Sequence, residues 1–427
     1  MPTAKAYAEV RGDYLNATLR GLSAASISTA RKTVADAIYR QGTNGIGIYA
    51  KGLHGLYITE YNNICRIFAR EEWGRVYGNT RQSSMDEFAR TLRELNTHIR
   101  GNLMTDCFLA YEIIDIVSNL ALELNNRTGE PKQTIAEALK PIRDTAKLSL
   151  PKLLENTRDR IQALTALPQD GTALPITAET MRRLQEMTGY LTPLTSIMTS
   201  LGDGGWSAGA AAASADSVPT LKSFDVGADG RQLFAHYASD NIDTLITNLD
   251  LKGRTLLRGR GVQGLFMANN AAVVERMIRS SDLQSLLTSV VNKVESWRAK
   301  GQSMYLEAWN EPSKHLLDVQ YTKRNDPRPR SGSVDSTAIV RSLGSKDKDA
   351  IKEKFRNFNT SFDDMVVKHK SYKMEQEVRE FLARKVQAQI EPLYGRFWDR
   401  YHEIDKGKGK HVKYDKSQLA VILASLS

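Results

Sequence analysis

Apolar residues recur along this chain at the period of a helix. From Phe88 they fall at Leu92, Leu95, Ile99 and Leu103, which is one face of a 3.6-residue turn. Ser84, with Glu87 three positions on, reads as a capping box opening that helix. A second run, Cys107, Tyr111, Ile114, Val117 and Leu120, is stopped by Gly129 and Pro131. Further helical patterns cover 46–72, 133–165, 177–200, 231–252, 262–280, 282–299, 303–318, 346–371, 375–401 and 416–426. Alternating strand patterns are scarce. The pattern predicts an all-α chain of antiparallel helical hairpins stacked side by side.

Two stretches break the rhythm. Residues 202–230 are rich in Gly, Ala and Ser and have no period, which predicts a long flexible loop. Residues 323–335, "KRNDPRPRSGSVD", read as a second mobile connection. At roughly 150 residues per domain, 427 residues suggest about three domains. The predicted divisions are 1–170, 171–345 (holding the 202–230 loop) and 346–427.

In the third division, Leu382, Val386, Ile390, Leu393 and Phe397 share a helix face expected to be core. Pro392 is expected to kink that helix, because it lacks a donor and its ring presses on the preceding turn. Arg396 and Arg400 lie on another face.

Composition removes several function classes. Cys65 and Cys107 make neither a metal spacing nor a disulfide framework. No stretch approaches the ~20 apolar residues of a membrane span, and the first thirty residues lack a signal-peptide core. The seven histidines are scattered with no H-E-x-x-H pair, and neither a nucleophile elbow nor a phosphate loop of the Walker type is present. Gly259, Gly261 and Gly264 form a G-x-G-x-x-G, but no buried strand precedes them; they read as a turn between two helices. No enzymatic activity, metal or cofactor is expected. Sequons at Asn16, Asn126 and Asn359 read as chance without a secretion signal.

The net charge of +10 favours anionic partners, and it is concentrated late in the chain. Lys406, Lys408, Lys410, Lys413 and Lys416 stand against Asp415 alone in 406–416. Asp415, with Gln418 three residues on, is placed to cap a last helix anchored by Leu419, Ile422 and Leu426. Point charges beside a helix N-terminus suit a phosphate group; a solvated loop is the other reading. At ~1 kcal/mol per basic residue, a net +4 supports reversible recruitment to an anionic leaflet. Lys368, Lys370 and Lys373 add to it only where they face the same way.

Several long segments match one family in order. "DAIYRQGTNGIGIYAKGLHGLYITEYNNICRIF" (36–68), "GLFMANNAAVVERMI" (264–278), "FRNFNTSFDDM" (355–365), "EVREFLARKVQAQIEPLYGRFWDRY" (377–401) and "KHVKYDKSQLAVILASL" (410–426) resemble the seventy-kilodalton subunit of the exocyst. The resemblance runs from about residue 5 to the end. It implies an elongated rod of stacked helical bundles that is not an enzyme and tethers secretory vesicles to the inner face of the plasma membrane before fusion.

The resemblance also implies binding to phosphatidylinositol 4,5-bisphosphate through two lysines three apart with an aromatic after the second. Lys410, Lys413 and Tyr414 match that pattern. Lys406, Lys408 and Lys416 are added as neighbours by charge. Rho-type GTPases and other exocyst subunits are the implied protein partners, and a protein-only scaffold without lipid binding is the alternative. Family members are longer, with an N-terminal coiled-coil segment, so a fragment or shorter isoform is expected. The last helix lacks the terminal aromatic the family leads one to expect, and "GKGK" predicts a more mobile loop.

Overall fold

The computed structural model describes residues 2–30, 37–129, 132–207, 230–317 and 336–427. Most of 202–230, and 323–335, both expected to be loops, lie outside the described residues. Among the described residues there is no strand, so the all-α reading holds. They divide into two compact units, 1–157 with 183–241, and 158–182 with 242–427.

The first unit opens on α1 (Pro2–Thr29), α2 (Ile46–Ile67), α3 (Trp73–Gly101) and α4 (Leu103–Thr128). Helix α1 lies along α3, and α2 along α4. The buried stripe of α1 is Ala4, Ala8, Gly12, Leu15, Leu19, Ser23 and Ser26. Five of these seven are Ala, Gly or Ser, so a search for large apolar residues passes over the helix. The small stripe lets the backbones approach closely: a Cβ on Gly12 would sit 2.9 Å from the Thr80 carbonyl oxygen. Buried Glu60 of α2 ties α1 down, accepting from Arg11 Nη2 at 2.6 Å and from the Tyr7 hydroxyl at 2.7 Å.

The expected start of α3 is corrected. The helix begins at Trp73, and Ser84 and Glu87 lie inside it. The Ser84 hydroxyl bonds the Tyr57 hydroxyl at 2.8 Å, and Glu87 accepts from Ser23 at 2.9 Å. Polar residues that pair within the core, Thr80 and Ser84, continue the buried stripe upstream of Phe88 and hide it from an apolar count. Helix α4 ends as expected at Gly129, in the left-handed region at φ 70°. Helices α5 (Lys132–Gln162), α6 (Pro175–Met187), α7 (Leu191–Leu201) and α8 (Gly230–Leu256) follow.

In the second unit, α9 (Arg260–Arg279) and α10 (Thr288–Glu307) pack against each other. A turn explains only Gly259, at φ 97°; Gly261 and Gly264 lie inside α9. Gly264 is where the two helices cross. A Cβ there would lie 2.4 Å from the Gly301 carbonyl oxygen, and one on Gly301 would lie 2.5 Å from the Gly264 carbonyl oxygen. Gly301 therefore does not end a helix, and α10 runs through a position where the sequence pattern divides 282–299 from 303–318.

Helices α11 (Ser345–Ser371), α12 (Gln376–Tyr401) and α13 (Lys416–Ala424) complete the chain. Phe355, Phe358 and Phe362 of α11 meet Leu382, Val386, Ile390, Tyr394 and Phe397 of α12 in one buried cluster. Tyr394 takes the seam position expected of Leu393, which is only half buried; Arg396 and Arg400 are exposed as expected. Leu419, Leu423 and Leu426 anchor the last helix, with Leu423 buried and Ile422 half buried. His369 closes this core: Nδ1 accepts from the Tyr305 hydroxyl at 2.7 Å, and Nε2 donates to the Leu426 carbonyl at 3.0 Å. A carbonyl can only accept, so Nε2 carries a proton; burial lowers the ring pKa to about 4, which leaves Nδ1 bare to accept from Tyr305.

Candidate functional site

The lysine-rich segment joins α12 to α13. A short 3₁₀ turn, His402–Asp405, follows α12. The chain then reverses through Lys406 at φ 46°, Gly407 at φ 72° and Gly409 at φ 63°. Nothing lies within 4 Å of a Cβ built on either glycine, so glycine is required here for its backbone conformation and not for space.

A buried carboxylate, an amide and a tyrosine hydroxyl hold the two ends of this reversal. Asp405 Oδ2 accepts from the backbone N–H of His411 and from that of Val412 at 3.0 Å. Asn359 of α11 donates to the His411 carbonyl at 2.7 Å, and the Tyr394 hydroxyl of α12 donates to the Tyr414 carbonyl at 2.6 Å. The reciprocal capping box expected at α13 is present. Gln418 N–H donates to Asp415 Oδ1 at 2.7 Å, and Asp415 N–H donates to Gln418 Oε1 at 3.0 Å.

The five lysines differ in their partners. Lys413 Nζ stands 2.5 Å from Asp363 Oδ2 of α11, with its ammonium 5.0 Å from the Tyr414 ring centroid. The Asp363 hydrogen bond pushes the Lys413 ammonium pKa up. The Tyr414 hydroxyl donates to the other oxygen of Asp363; burial first, then that carboxylate, raises its pKa. Lys416 pairs with Asp399 at 2.6 Å and lies over the Trp398 ring. Lys406, Lys408 and Lys410 are exposed, and among the described residues no carboxylate pairs with them.

The segment thus brings all five candidates together but leaves only three charges uncompensated, within five consecutive residues. Of the further lysines considered, Lys368 is held by Asp364 at 2.6 Å and Lys373 by Asp170 at 3.5 Å. The residues that sequence reasoning missed are the acceptors Asp363, Asp399 and Asp405. Asp363 stands in "FRNFNTSFDDM", next to buried Phe362, where only its place in a helical pattern drew notice.

Among the described residues no group of three His, Cys, Asp or Glu side chains is disposed to hold a metal, and no helix is long and apolar enough to cross a membrane. The arrangement suits electrostatic binding of a phosphorylated surface.

The profile of the family formed by the C-terminal part of the exocyst complex protein Exo70 matches residues 43–425. The exocyst complex protein EXO70 of Gibberella zeae is 53% identical over 423 residues, covering 99% of this chain and 67% of the relative. The exocyst complex protein exo70 of Neurospora crassa is 51% identical over 430 residues, with 100% and 67% covered. The chain thus spans about two thirds of the length of these relatives. The solved structure of S. cerevisiae Exo70 has a TM-score of 0.64 at 20% identity, covering 98% of this chain and 76% of that one. That likeness concerns the fold.

Proposed function

The chain belongs to the Exo70 C-terminal family of the exocyst complex, and on that premise we propose that it helps tether secretory vesicles to the plasma membrane by binding phosphatidylinositol 4,5-bisphosphate through the 406–416 segment. The observation that carries this reading is the set of three lysines, Lys406, Lys408 and Lys410, with no carboxylate partner among the described residues, on a reversal whose ends are fixed by Asp405. Lys413 joins them by exchanging Asp363 for a headgroup phosphate, and Lys416 flanks them at the start of α13. Other exocyst subunits and Rho-family small GTPases are its protein partners, and it acts peripherally on the inner leaflet at sites of secretion. It needs no cofactor and carries out no reaction.

Co-sedimentation with vesicles tests this. Binding to vesicles containing the bisphosphate lipid should exceed binding to phosphatidylserine vesicles of matched charge. Lys410→Ala with Lys413→Ala should weaken it by about 30-fold, from ~1 kcal/mol for each lysine near the surface, with helicity unchanged. A double variant that binds as well as the parent rejects this segment as the lipid site and leaves a scaffold that contacts proteins alone.

A further inference from the structure

The carboxylate of Asp363 sits between two donors of the lysine segment. Lys413 Nζ donates to its Oδ2 at 2.5 Å, and the Tyr414 hydroxyl donates to its Oδ1. Among the described residues the Asp363 side chain has no other hydrogen-bond or ion-pair partner. The cluster lies at the surface: the Asp363 side chain is 36% exposed and that of Lys413 is 50% exposed. An anion arriving from solvent can therefore reach the same two donors.

These donors do not depend on Asp363 for their place. The Tyr414 carbonyl accepts from the Tyr394 hydroxyl at 2.6 Å, and the Tyr414 ring meets Phe362 edge to face at 5.9 Å. Asp405 fixes the chain just before Lys413 through the Val412 N–H at 3.0 Å. The site is thus built without its occupant.

The occupant shows what else fits. An ionised carboxylate presents two acceptor oxygens and one charge, and here each oxygen takes one donor. A phosphate monoester presents three such oxygens and about −1.5 to −2 charge at neutral pH. It can accept from both donors and keep an oxygen for a further cation. Lys410, three residues before Lys413, is the nearest in the chain of the lysines without a carboxylate partner among the described residues. An ion pair as exposed as that of Lys413 with Asp363 is weakly held, so its exchange for a phosphate costs little.

We propose that Lys413 and the Tyr414 hydroxyl form a two-donor site for a headgroup phosphate, and that Asp363 fills this site in the unbound chain and competes with the lipid. This rests on the reading of 406–416 as the lipid-binding segment. It adds to that reading a second kind of ligand group, the phenol hydroxyl, and a resident competitor that keeps affinity below what the lysines alone would reach.

Co-sedimentation of the full chain with vesicles containing the bisphosphate lipid tests it, with circular dichroism to check that each variant is folded. Asp363→Asn should tighten binding about fivefold, the gain from one lysine released at the surface. In a Lys413→Ala background the same substitution should gain less than about twofold, because there is no lysine left to release. Tyr414→Phe in the Asp363→Asn background should weaken binding by about threefold or more, from the loss of a hydrogen bond to a charged acceptor. Equal gains from Asp363→Asn with and without Lys413 would make Asp363 a general negative charge and overturn the proposal. No gain at all, or indifference to Tyr414→Phe, overturns it as well. A parent chain whose binding ignores the bisphosphate, or survives Lys410→Ala with Lys413→Ala, is instead a failure of the lipid reading, and the proposal falls with it.

Discussion

Two glycine-rich stretches, "GRGVQG" at 259–264 and "GKGK" at 407–410, look alike on paper and do opposite things. At Gly264 the backbone is ordinary helix and the neighbourhood is full, with the Gly301 carbonyl and Met304 where a side chain would go. At Gly407 and Gly409 the neighbourhood is empty and the backbone is left-handed. One glycine lets two helices touch; the others let a chain turn back on itself. Composition reports both as flexibility, yet the first is among the most confined positions in the molecule.

Substitution at each site separates the two roles. The largest effect is expected for Gly264→Ala. Its Cβ meets main chain that cannot rotate away, so the loss should reach or pass the upper end of the roughly 1–3 kcal/mol typical of overpacking. Denaturant unfolding measures it, and a loss under about 0.5 kcal/mol would show that the crossing yields easily.

Between the two glycine sites in size comes His369, which holds the far end of α13. Burial lowers its pKa from 6.5 to about 4. The unfolded chain therefore binds a proton that the folded one refuses. Stability is complete above pH 6.5 and falls as the pH drops from there towards 4. Between pH 7 and 5 the loss should be on the order of 2 kcal/mol, and His369→Gln should flatten that part of the profile. Identical profiles in parent and variant would count against the neutral clamp.

The smallest effect belongs to the turn. Gly407→Ala should cost about 1 kcal/mol, from the left-handed backbone alone. Gly407→Asn should cost less, since Asn tolerates that region better. Equal costs for Ala and Asn would mean that space, as at Gly264, is the constraint after all.

The same contrast governs how much was legible in advance. Helices with large apolar residues in phase, α4, α11 and α12, were readable, and so was the Asp415–Gln418 cap, because its partners are three residues apart. Helix α1 and the first half of α3 were not. Their buried faces are Ala, Gly, Ser and Thr, which become core only when a second backbone comes close. At the lysine segment the charges were plain and their counter-ions were not. Asp363 lies fifty residues from Lys413, and Asp399 pairs with Lys416 across the whole reversal. Pairing over such distances is a property of the fold and leaves no local mark.

In the lipid binding proposed for this segment, those two ion pairs set how the association responds to ionic strength. A lysine already neutralised by its own protein gains nothing from dissolved anions, and when it moves to a phosphate it trades one carboxylate for another acceptor. Within the segment, and among the described residues, Lys406, Lys408 and Lys410 alone lack a carboxylate partner, so theirs are the mobile counter-ions that a charged surface would free. Added salt should therefore weaken the association as it would for a trivalent patch, although five lysines stand in the segment.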